Sequence, residues 1–195
     1  PMEKRRFMKE NKGYSLIELI IVMAIVVIMT GAAMITITVI HNAKAREAAT
    51  TFEGALSDLQ QNTKGKMCVV ADTEQPDYRF ALAVYKKGTK YYVKKGYYKG
   101  NNLDMSKATS YVFVDAENGS GGNGESFSAY VKVTYTDASK TEREITDLSD
   151  KPVYIIYDRQ GCCIYGDGSY NFYRNNKNEL LNTVVLNKNG SHTSN

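Results

Sequence analysis

A long apolar run near the N-terminus is the strongest pattern in the chain. Residues 19–40 contain no charged side chain and consist mostly of Ile, Val, Met and Ala. As an α-helix, about 22 residues extend roughly 33 Å, which is enough to cross a hydrocarbon core of about 30 Å. The run also exceeds the apolar region of an ordinary signal peptide, which has about 7–15 residues. The pattern therefore predicts a membrane-spanning helix.

The pattern changes after this run, because residues 42–61 carry a single apolar stripe. Apolar side chains recur there at steps of three and four, as expected for one face of a helix. The stripe consists of Ala45, Ala48, Ala49, Phe52, Ala55, Leu56 and Leu59. Gly65 is the predicted end of the helix. We therefore expect one continuous helix whose second half packs its stripe against a sheet.

Beyond Met67 the apolar positions alternate, which is typical of β-strands. The predicted strands cover residues 67–71, 78–85, 90–94, 111–115, 127–135, 141–145, 153–157, 162–165, 171–174 and 180–186. Strands 111–115 and 127–135 are predicted to pair as a hairpin, residues 96–107 to form a loop, and residues 187–195 to form a polar tail. One helix followed by strands alone indicates an α+β fold, in which the long N-terminal helix packs on an antiparallel β-sheet.

Glu18 is an acid one helical turn into the apolar stretch, where a charge is costly. Insertion scales place an acid at mid-membrane depth at roughly 2.5–3.5 kcal/mol, so a buried acid needs a partner. Lys12 lies on another face of the helix and does not supply one. Position alone leaves two interpretations open. Either something outside this helix neutralises Glu18, or the carboxylate lies near the lipid headgroups.

The residues around Glu18 resemble the class III signal of type IV pilins and pseudopilins. The matching segment is Lys12-Gly13-Tyr14-Ser15-Leu16-Ile17-Glu18-Leu19, with a short basic leader before it and the apolar run after it. The resemblance implies that a prepilin peptidase cuts between Gly13 and Tyr14 and methylates the new N-terminus at Tyr14. It also implies that Glu18 pairs with the N-terminal amine of an adjacent subunit in a filament.

Three features depart from the family pattern. Tyr14 stands where the family usually has Phe, and Ser15 stands where Thr is common. Major pilins often carry a proline about twenty residues into the mature helix, and this chain has none there. Gly31 and the β-branched run 35–39 are the weakest helix formers of that stretch.

The resemblance also implies how the chain is organised. Residues 1–13 would be a cytoplasmic leader, 14–41 a transmembrane or filament-core helix, 42–65 an amphipathic outer helix, and 66–195 an extracytoplasmic β-sheet domain. The implied protein is a structural subunit of a type IV pilus or a type II secretion-like filament, and not an enzyme. Its implied partners are prepilin peptidase, other pilin subunits, the cytoplasmic membrane and the assembly machinery. It would lie in that membrane before assembly and in a filament or at the cell surface afterwards.

The charge distribution agrees with this orientation. The chain has 25 basic and 21 acidic side chains and a net charge of +4. Five of the basic residues but only two of the acidic ones lie in the leader, so the remainder is nearly neutral. A basic N-terminal flank favours a cytoplasmic N-terminus. The basic character therefore indicates a topogenic leader rather than a nucleic-acid surface.

The three cysteines are Cys68, Cys162 and Cys163. In an extracytoplasmic domain, oxidising conditions favour a disulfide from Cys68 to either Cys162 or Cys163. Neighbouring strand residues face opposite ways, so only one of the vicinal pair can point toward Cys68. The alternative is that all three are small, buried, reduced side chains.

Other site chemistry has little support in the sequence, and we expect no cofactor and no metal. His41 and His192 lie far apart in the chain, no Cys-x-x-Cys occurs, and no glycine loop has phosphate-binding spacing. His41 is expected to be a solvated residue at the membrane exit.

Two alternatives to a structural filament subunit remain. The first is a minor pilin that serves as a tip, adhesion or DNA-uptake module. Its nucleic-acid contacts would come from a lysine- and tyrosine-rich hairpin, predicted as a solvated edge: Lys86, Lys87, Lys90, Lys94, Lys95 and Lys99 with Tyr91, Tyr92, Tyr97 and Tyr98. The second is an ordinary secreted or single-pass anchored protein, cut near residues 30–33 if secreted. Glu18 inside the apolar region and the apolar residues beyond Ala33 argue against the second.

Overall fold

The chain begins, within the residues described, with one long helix. The computed structural model describes residues 14–70, 73–74, 78–99, 114–115, 124–175 and 178–195. Helix α1 extends over 50 residues, Leu16–Gly65, and confirms the predicted continuous helix and its end at Gly65. The chain divides into two compact units, with the boundary between Val39 and Ile40.

The helix is followed by antiparallel strands in three groups. The strands are β1 Val69–Val70, β2 Thr73–Glu74, β3 Tyr78–Lys87, β4 Lys90–Lys99, β5 Val114–Asp115, β6 Glu125–Ser126, β7 Val131–Thr136, β8 Glu142–Glu144, β9 Val153–Tyr157, β10 Cys163–Tyr165, β11 Gly168–Arg174, β12 Glu179–Leu186 and β13 His192–Ser194. The first sheet has the order β10-β9-β3-β4-β5, with β6 also paired to β4. The second sheet has the order β13-β12-β11-β7-β8, and β1 pairs with β2 alone. This is the predicted α+β class, with the predicted single sheet divided between two main sheets.

The predicted hairpin between residues 111–115 and 127–135 is wrong. β5 pairs with β4, where Asp115 lies opposite Gly96. β7 pairs instead with β11 and β8, which places it in the second sheet. Alternation of apolar residues predicts that a segment is a strand but carries no information about its partner. Residues 111–113 lie outside the described part of the chain.

Three smaller expectations need correction. Part of the predicted loop 96–107 is strand, because β4 stays paired with β3 as far as Lys99 opposite Tyr78; residues 100–107 lie outside the described part. β4 has paired neighbours on both sides, so it is not an edge. The predicted tail contains β13, which pairs with β12 after a tight turn at Gly190. Short polar strands lack the apolar alternation that would reveal them.

The core forms where the outer half of α1 meets both sheets. All seven residues of the predicted stripe are buried, which confirms the stripe. The ring of Phe52 contacts Tyr170 and Phe172 of β11, with centroids 4.6 and 6.0 Å away. Leu82, Val84, Val153 and Ile155 of the first sheet belong to the same apolar cluster. The stripe therefore holds the two sheets together.

A polar clamp fixes the last turns of the helix to a turn at each sheet. The Gln60 side chain donates hydrogen bonds from Nε2 to the carbonyl of Gly161, at 2.8 Å, and to that of Gly190, at 3.3 Å. Both glycines have left-handed backbones, with φ of +88° and +82°. A Cβ at Gly190 would overlap the Gly161 carbonyl, so the close approach of the two turns requires glycine.

Candidate processing and assembly site

The helix start lies within the segment that carries the signal-like motif. The backbone N–H of Leu19 donates to the carbonyl of Ser15 at 3.1 Å, so Ser15 caps the helix and Glu18 lies in its first turn. Ser15 and Glu18 have the Ser-x-x-Glu spacing of a capping box. An acid in the first turn also interacts favourably with the helix dipole. Helix geometry alone therefore accommodates Glu18 at this position.

The predicted cleavage junction lies immediately before this cap. Tyr14 is 81% exposed and precedes the helix by two residues, so its backbone is not part of the helical hydrogen-bond ladder. Gly13, the other side of the predicted junction, lies outside the described residues. Within the part of the chain that is described, the Glu18 carboxylate has no hydrogen bond or ion pair.

The first half of α1 is apolar and exposed on every face. No residue from Tyr14 to Ile40 is buried against the described part of the chain. Its large apolar side chains are 46–78% exposed between Leu16 and Ile40. Soluble monomers rarely expose an apolar surface of this extent. The helix is long and apolar enough to cross a membrane, and this segment carries its apolar character.

The threonines of this half satisfy their hydroxyl groups without water. Thr30, Thr36 and Thr38 each donate to the carbonyl four residues earlier, at 2.7, 3.0 and 3.3 Å. An unpaired hydroxyl in hydrocarbon would cost several kcal/mol. These back-bonds explain why three polar residues are compatible with an otherwise apolar segment.

The predicted solvated position of His41 is wrong. The His41 side chain is buried and its ring stacks on Tyr130, with centroids 4.5 Å apart. The neighbouring Asn42 accepts a hydrogen bond from Arg174 Nη2 at 2.6 Å, and Arg174 also pairs with Glu179 at 3.2 Å. Tyr130 and Arg174 lie far from His41 in sequence, so no local pattern predicts this cluster. The helix is therefore anchored to the sheet domain from His41 and Asn42 onward.

The three cysteines are free thiols in this structure, and the disulfide stays a prediction. Cys68 and Cys163 are buried, and Cys162 is half-buried. Burial raises the pKa of the Cys68 thiol to about 11, although the nearby charges of Arg159 and Arg79 oppose the shift. Burial also raises the pKa of the Cys163 thiol to about 12.

Two of the four tyrosine rings in the lysine- and tyrosine-rich hairpin are not accessible for stacking on bases. Tyr91 and Tyr97 are buried, and the side chain of Tyr98 lies outside the described set. Lys86 pairs with Glu144 at 3.2 Å, and Lys95 pairs with Asp58 of α1 at 2.7 Å. The described part of the hairpin therefore contributes to the sheet and to its contact with the helix.

Metal-ligating side chains do not gather anywhere in the described residues. No group of three or more His, Cys, Asp or Glu side chains there is placed to hold a metal ion. His192 Nε2 lies 3.3 Å from the hydroxyl of Ser57, which joins β13 to α1.

Comparison with known families identifies the N-terminal segment. The family model described as the prokaryotic N-terminal methylation motif matches residues 8–34. That range contains the predicted junction, Glu18 and most of the apolar run, residues 19–34. Neither the curated proteins nor the solved structures contain a significant match to the chain.

Proposed function

We propose, from the premise that residues 8–34 are the class III signal peptide of type IV pilins, that this chain is a structural filament subunit. The motif marks a type IV pilin-like prepilin, and its family consists of structural subunits rather than enzymes. The finer proposal is that the mature chain builds a type IV pilus or a type II secretion-like filament. The observation that carries it is the first half of α1, which is apolar and uncovered on every face as far as Ile40.

Processing is the first step of the proposed function. A prepilin peptidase cuts between Gly13 and Tyr14 and methylates the amine of Tyr14. Tyr14 and Ser15 precede the helix, so the chain on the mature side of the bond is in a non-helical backbone that a protease active site can bind. The basic leader is removed, and the new amine lies one helical turn from Glu18.

Assembly is the second step. In a filament, the exposed apolar faces of neighbouring helices pack against one another and replace contacts with lipid. Glu18 then pairs with the Tyr14 amine of an adjacent subunit, which neutralises both charges in a low-dielectric interior. The buried stripe of the outer half keeps each sheet domain attached to its own helix, so the domains form the filament surface. Before assembly the subunit is anchored in the cytoplasmic membrane, with its N-terminus inside.

N-terminal sequencing of the processed chain tests this proposal, together with a Gly13→Val variant. We expect Tyr14 as the first residue of the exported wild-type chain and accumulation of the uncut precursor for Gly13→Val, because a bulky side chain obstructs the scissile backbone. Lys12→Ala is the matched control and should be processed. A first residue near Met34, or normal cleavage of Gly13→Val, would contradict the proposal.

Subunit stoichiometry separates the main role from the minor-pilin alternative. A structural subunit should be the most abundant chain in sheared filaments. Detection of one or a few copies per filament would favour a tip role instead.

A further inference from the structure

The vicinal cysteines lie on opposite faces of the β9–β10 hairpin. Cys163 is directly opposite Tyr157 in the ladder. One position closer to the turn, the N–H of Asp158 donates to the carbonyl of Cys162 at 2.9 Å, so these two residues form the next pair. Paired residues project from the same face, and successive residues alternate. Cys162 therefore faces away from the side on which Cys163 and Tyr157 lie.

Cys163 belongs to the core between helix and sheets. It is buried in the same apolar cluster as Tyr157, Tyr170 and the stripe of α1. Its thiol donates to the carbonyl of Tyr165 at 3.1 Å, so its S–H group already has an acceptor. This cysteine is held as a small core residue.

Cys68 is buried but does not belong to that cluster. The electrostatic neighbours of its thiol are Arg159, in the β9–β10 turn, and Arg79 of β3. Arg79 has the same strand parity as Ala81, which is buried but does not belong to the helix-facing cluster. Arg79 therefore lies on the face toward which Cys162 points, and its charge acts on the Cys68 thiol together with that of Arg159.

The end of the helix limits how far Cys68 lies from that turn. The Lys64 side chain lies against Gly161, since a Cβ at Gly161 would overlap it. Three residues separate Lys64 from Cys68, so even in a fully extended chain their Cα atoms lie at most about 14 Å apart. Gly161 is the neighbour of Cys162 in sequence. The Lys64 contact and the charges of Arg79 and Arg159 thus both indicate that Cys68 lies near the β9–β10 turn, which carries Cys162.

We propose that Cys68 and Cys162 form a disulfide in the mature protein and that Cys163 stays a buried free thiol. The bond would link the chain just after α1 to the β9–β10 turn, covalently enclosing β1 to β9. It would reinforce the Gln60 clamp, which joins the same helix end to the same turn. In the cell this inference rests on the proposed function, which places the domain in an oxidising compartment.

The reaction requires a disulfide-bearing oxidant, such as an extracytoplasmic thiol oxidoreductase. Cys162 is the most accessible of the three thiols, so its thiolate attacks the oxidant and forms a mixed disulfide. The Cys68 thiolate then attacks the Cys162 sulfur and expels the oxidant as a dithiol. Two protein thiols lose two electrons and two protons in total, and the oxidant gains them.

The pairing is tested on the purified full-length chain in detergent micelles, reduced and then reoxidised with oxidised glutathione. Free thiols are counted by the mass added on alkylation, and linked peptides are identified by mass spectrometry. We expect one free thiol in the wild type, none in Cys163→Ala with the bond retained, and two in Cys162→Ser. Circular dichroism checks that each variant is folded. If a variant does not fold, the linked peptides of the wild-type chain decide which cysteines are bonded.

A bond from Cys68 to Cys163, a vicinal bond between Cys162 and Cys163, three free thiols, or glutathione adducts alone would overturn the proposal. None of these outcomes bears on processing or filament assembly, because the oxidant is added in vitro. Failure of the disulfide and failure of the proposed function are therefore distinguishable.

Discussion

The two halves of helix α1 have the same backbone conformation and opposite relations to the rest of the chain. From Leu16 to Ile40 the helix is apolar all round, and no described residue of the chain covers it. From His41 to Gly65 a single stripe is apolar, and both sheets cover that stripe. The second half completes its hydrophobic burial within one chain. The first half lacks such a cover and requires lipid or other chains to provide it.

Two acids outside the first half of α1 have partners in their own chain. Glu142, on the second sheet, accepts hydrogen bonds from Thr134, Asn171 and Tyr173 of its own chain. Glu47, on the outer half of α1, pairs with Lys44 three residues before it. Glu18 has no such partner within the described residues. This contrast supports the proposal that the first half of the helix serves assembly, whereas the buried stripe of the second half serves folding.

Truncating a large apolar side chain to Ala should lower the unfolding free energy in the second half of α1 but not in the first, and this is the largest difference that we expect. Phe52→Ala leaves a cavity against Tyr170 and should lower the unfolding free energy of the sheet domain by about 3–5 kcal/mol. Ile28→Ala, at a side chain that is 71% exposed, should leave it unchanged. Urea denaturation of the full chain in micelles, followed by tyrosine fluorescence, measures both. Equal losses for the two variants would remove the distinction between the halves.

Disturbing the Gln60 clamp should lower the unfolding free energy by an intermediate amount. Gly190→Ala combines a left-handed backbone with overlap onto the Gly161 carbonyl, so we expect a loss of roughly 2–4 kcal/mol in unfolding free energy. Gly88→Ala is the matched control, because its φ is also positive but no atom lies within 4 Å of the added Cβ. It should lose only about 1–2 kcal/mol. Equal losses in the same denaturation assay would mean that backbone strain alone matters at Gly190.

How much of this comparison is visible in the sequence depends on the range of each interaction. The helix and its stripe depend on periodicity within α1, and all seven predicted stripe residues are buried. The partner of β5 and the burial of His41 against Tyr130 depend on distant segments, and both were predicted wrongly. The roles of Gly13, Glu18 and the cysteines come from the motif and from residue type, and they stay predictions. Local patterns therefore predict the helix, most strands and the buried face of the helix. Which strands pair, and which distant side chains meet, is known only from the folded structure.

The smallest expected effect concerns pH. A hydrogen bond from the Thr134 hydroxyl holds the pKa of the Glu142 carboxyl below its usual value, although partial burial opposes the shift. Hydrogen bonds from the Tyr173 hydroxyl and the Asn171 amide lower this pKa further. A depressed folded-state pKa stabilises the fold above the ordinary carboxyl range of about 4 to 5, and this contribution is lost as pH falls through the folded-state value.

In Thr134→Val, the unfolding free energy should therefore decrease less steeply than in the wild type as the pH falls below about 5. Thr136→Val is the matched control, because the Thr136 hydroxyl accepts a hydrogen bond from Asn171 but, although Thr136 lies opposite Glu142 in the ladder, does not donate to its carboxylate. Unfolding free energies measured from pH 7 to pH 3 compare the variants. Identical pH slopes for wild type and Thr134→Val would show that the Glu142 network contributes nothing to folding.

Glu18→Ala tests whether the first half of α1 serves assembly. The measured quantity is the ratio of subunit recovered in filaments to processed subunit inserted in the membrane. Glu18→Ala removes a costly intramembrane charge, so processing and insertion should be at least as efficient as in the wild type. Glu18→Gln, which also loses the charge, should behave like Glu18→Ala.

Without Glu18, the Tyr14 amine of a neighbouring subunit is left unpaired at membrane depth. Because such a charge costs roughly 2.5–3.5 kcal/mol, the ratio should fall by at least about tenfold. Glu47→Ala removes the same charge from the outer half of the same helix and should leave the ratio unchanged. A wild-type ratio for Glu18→Ala, or an equal fall for Glu47→Ala, would contradict the account.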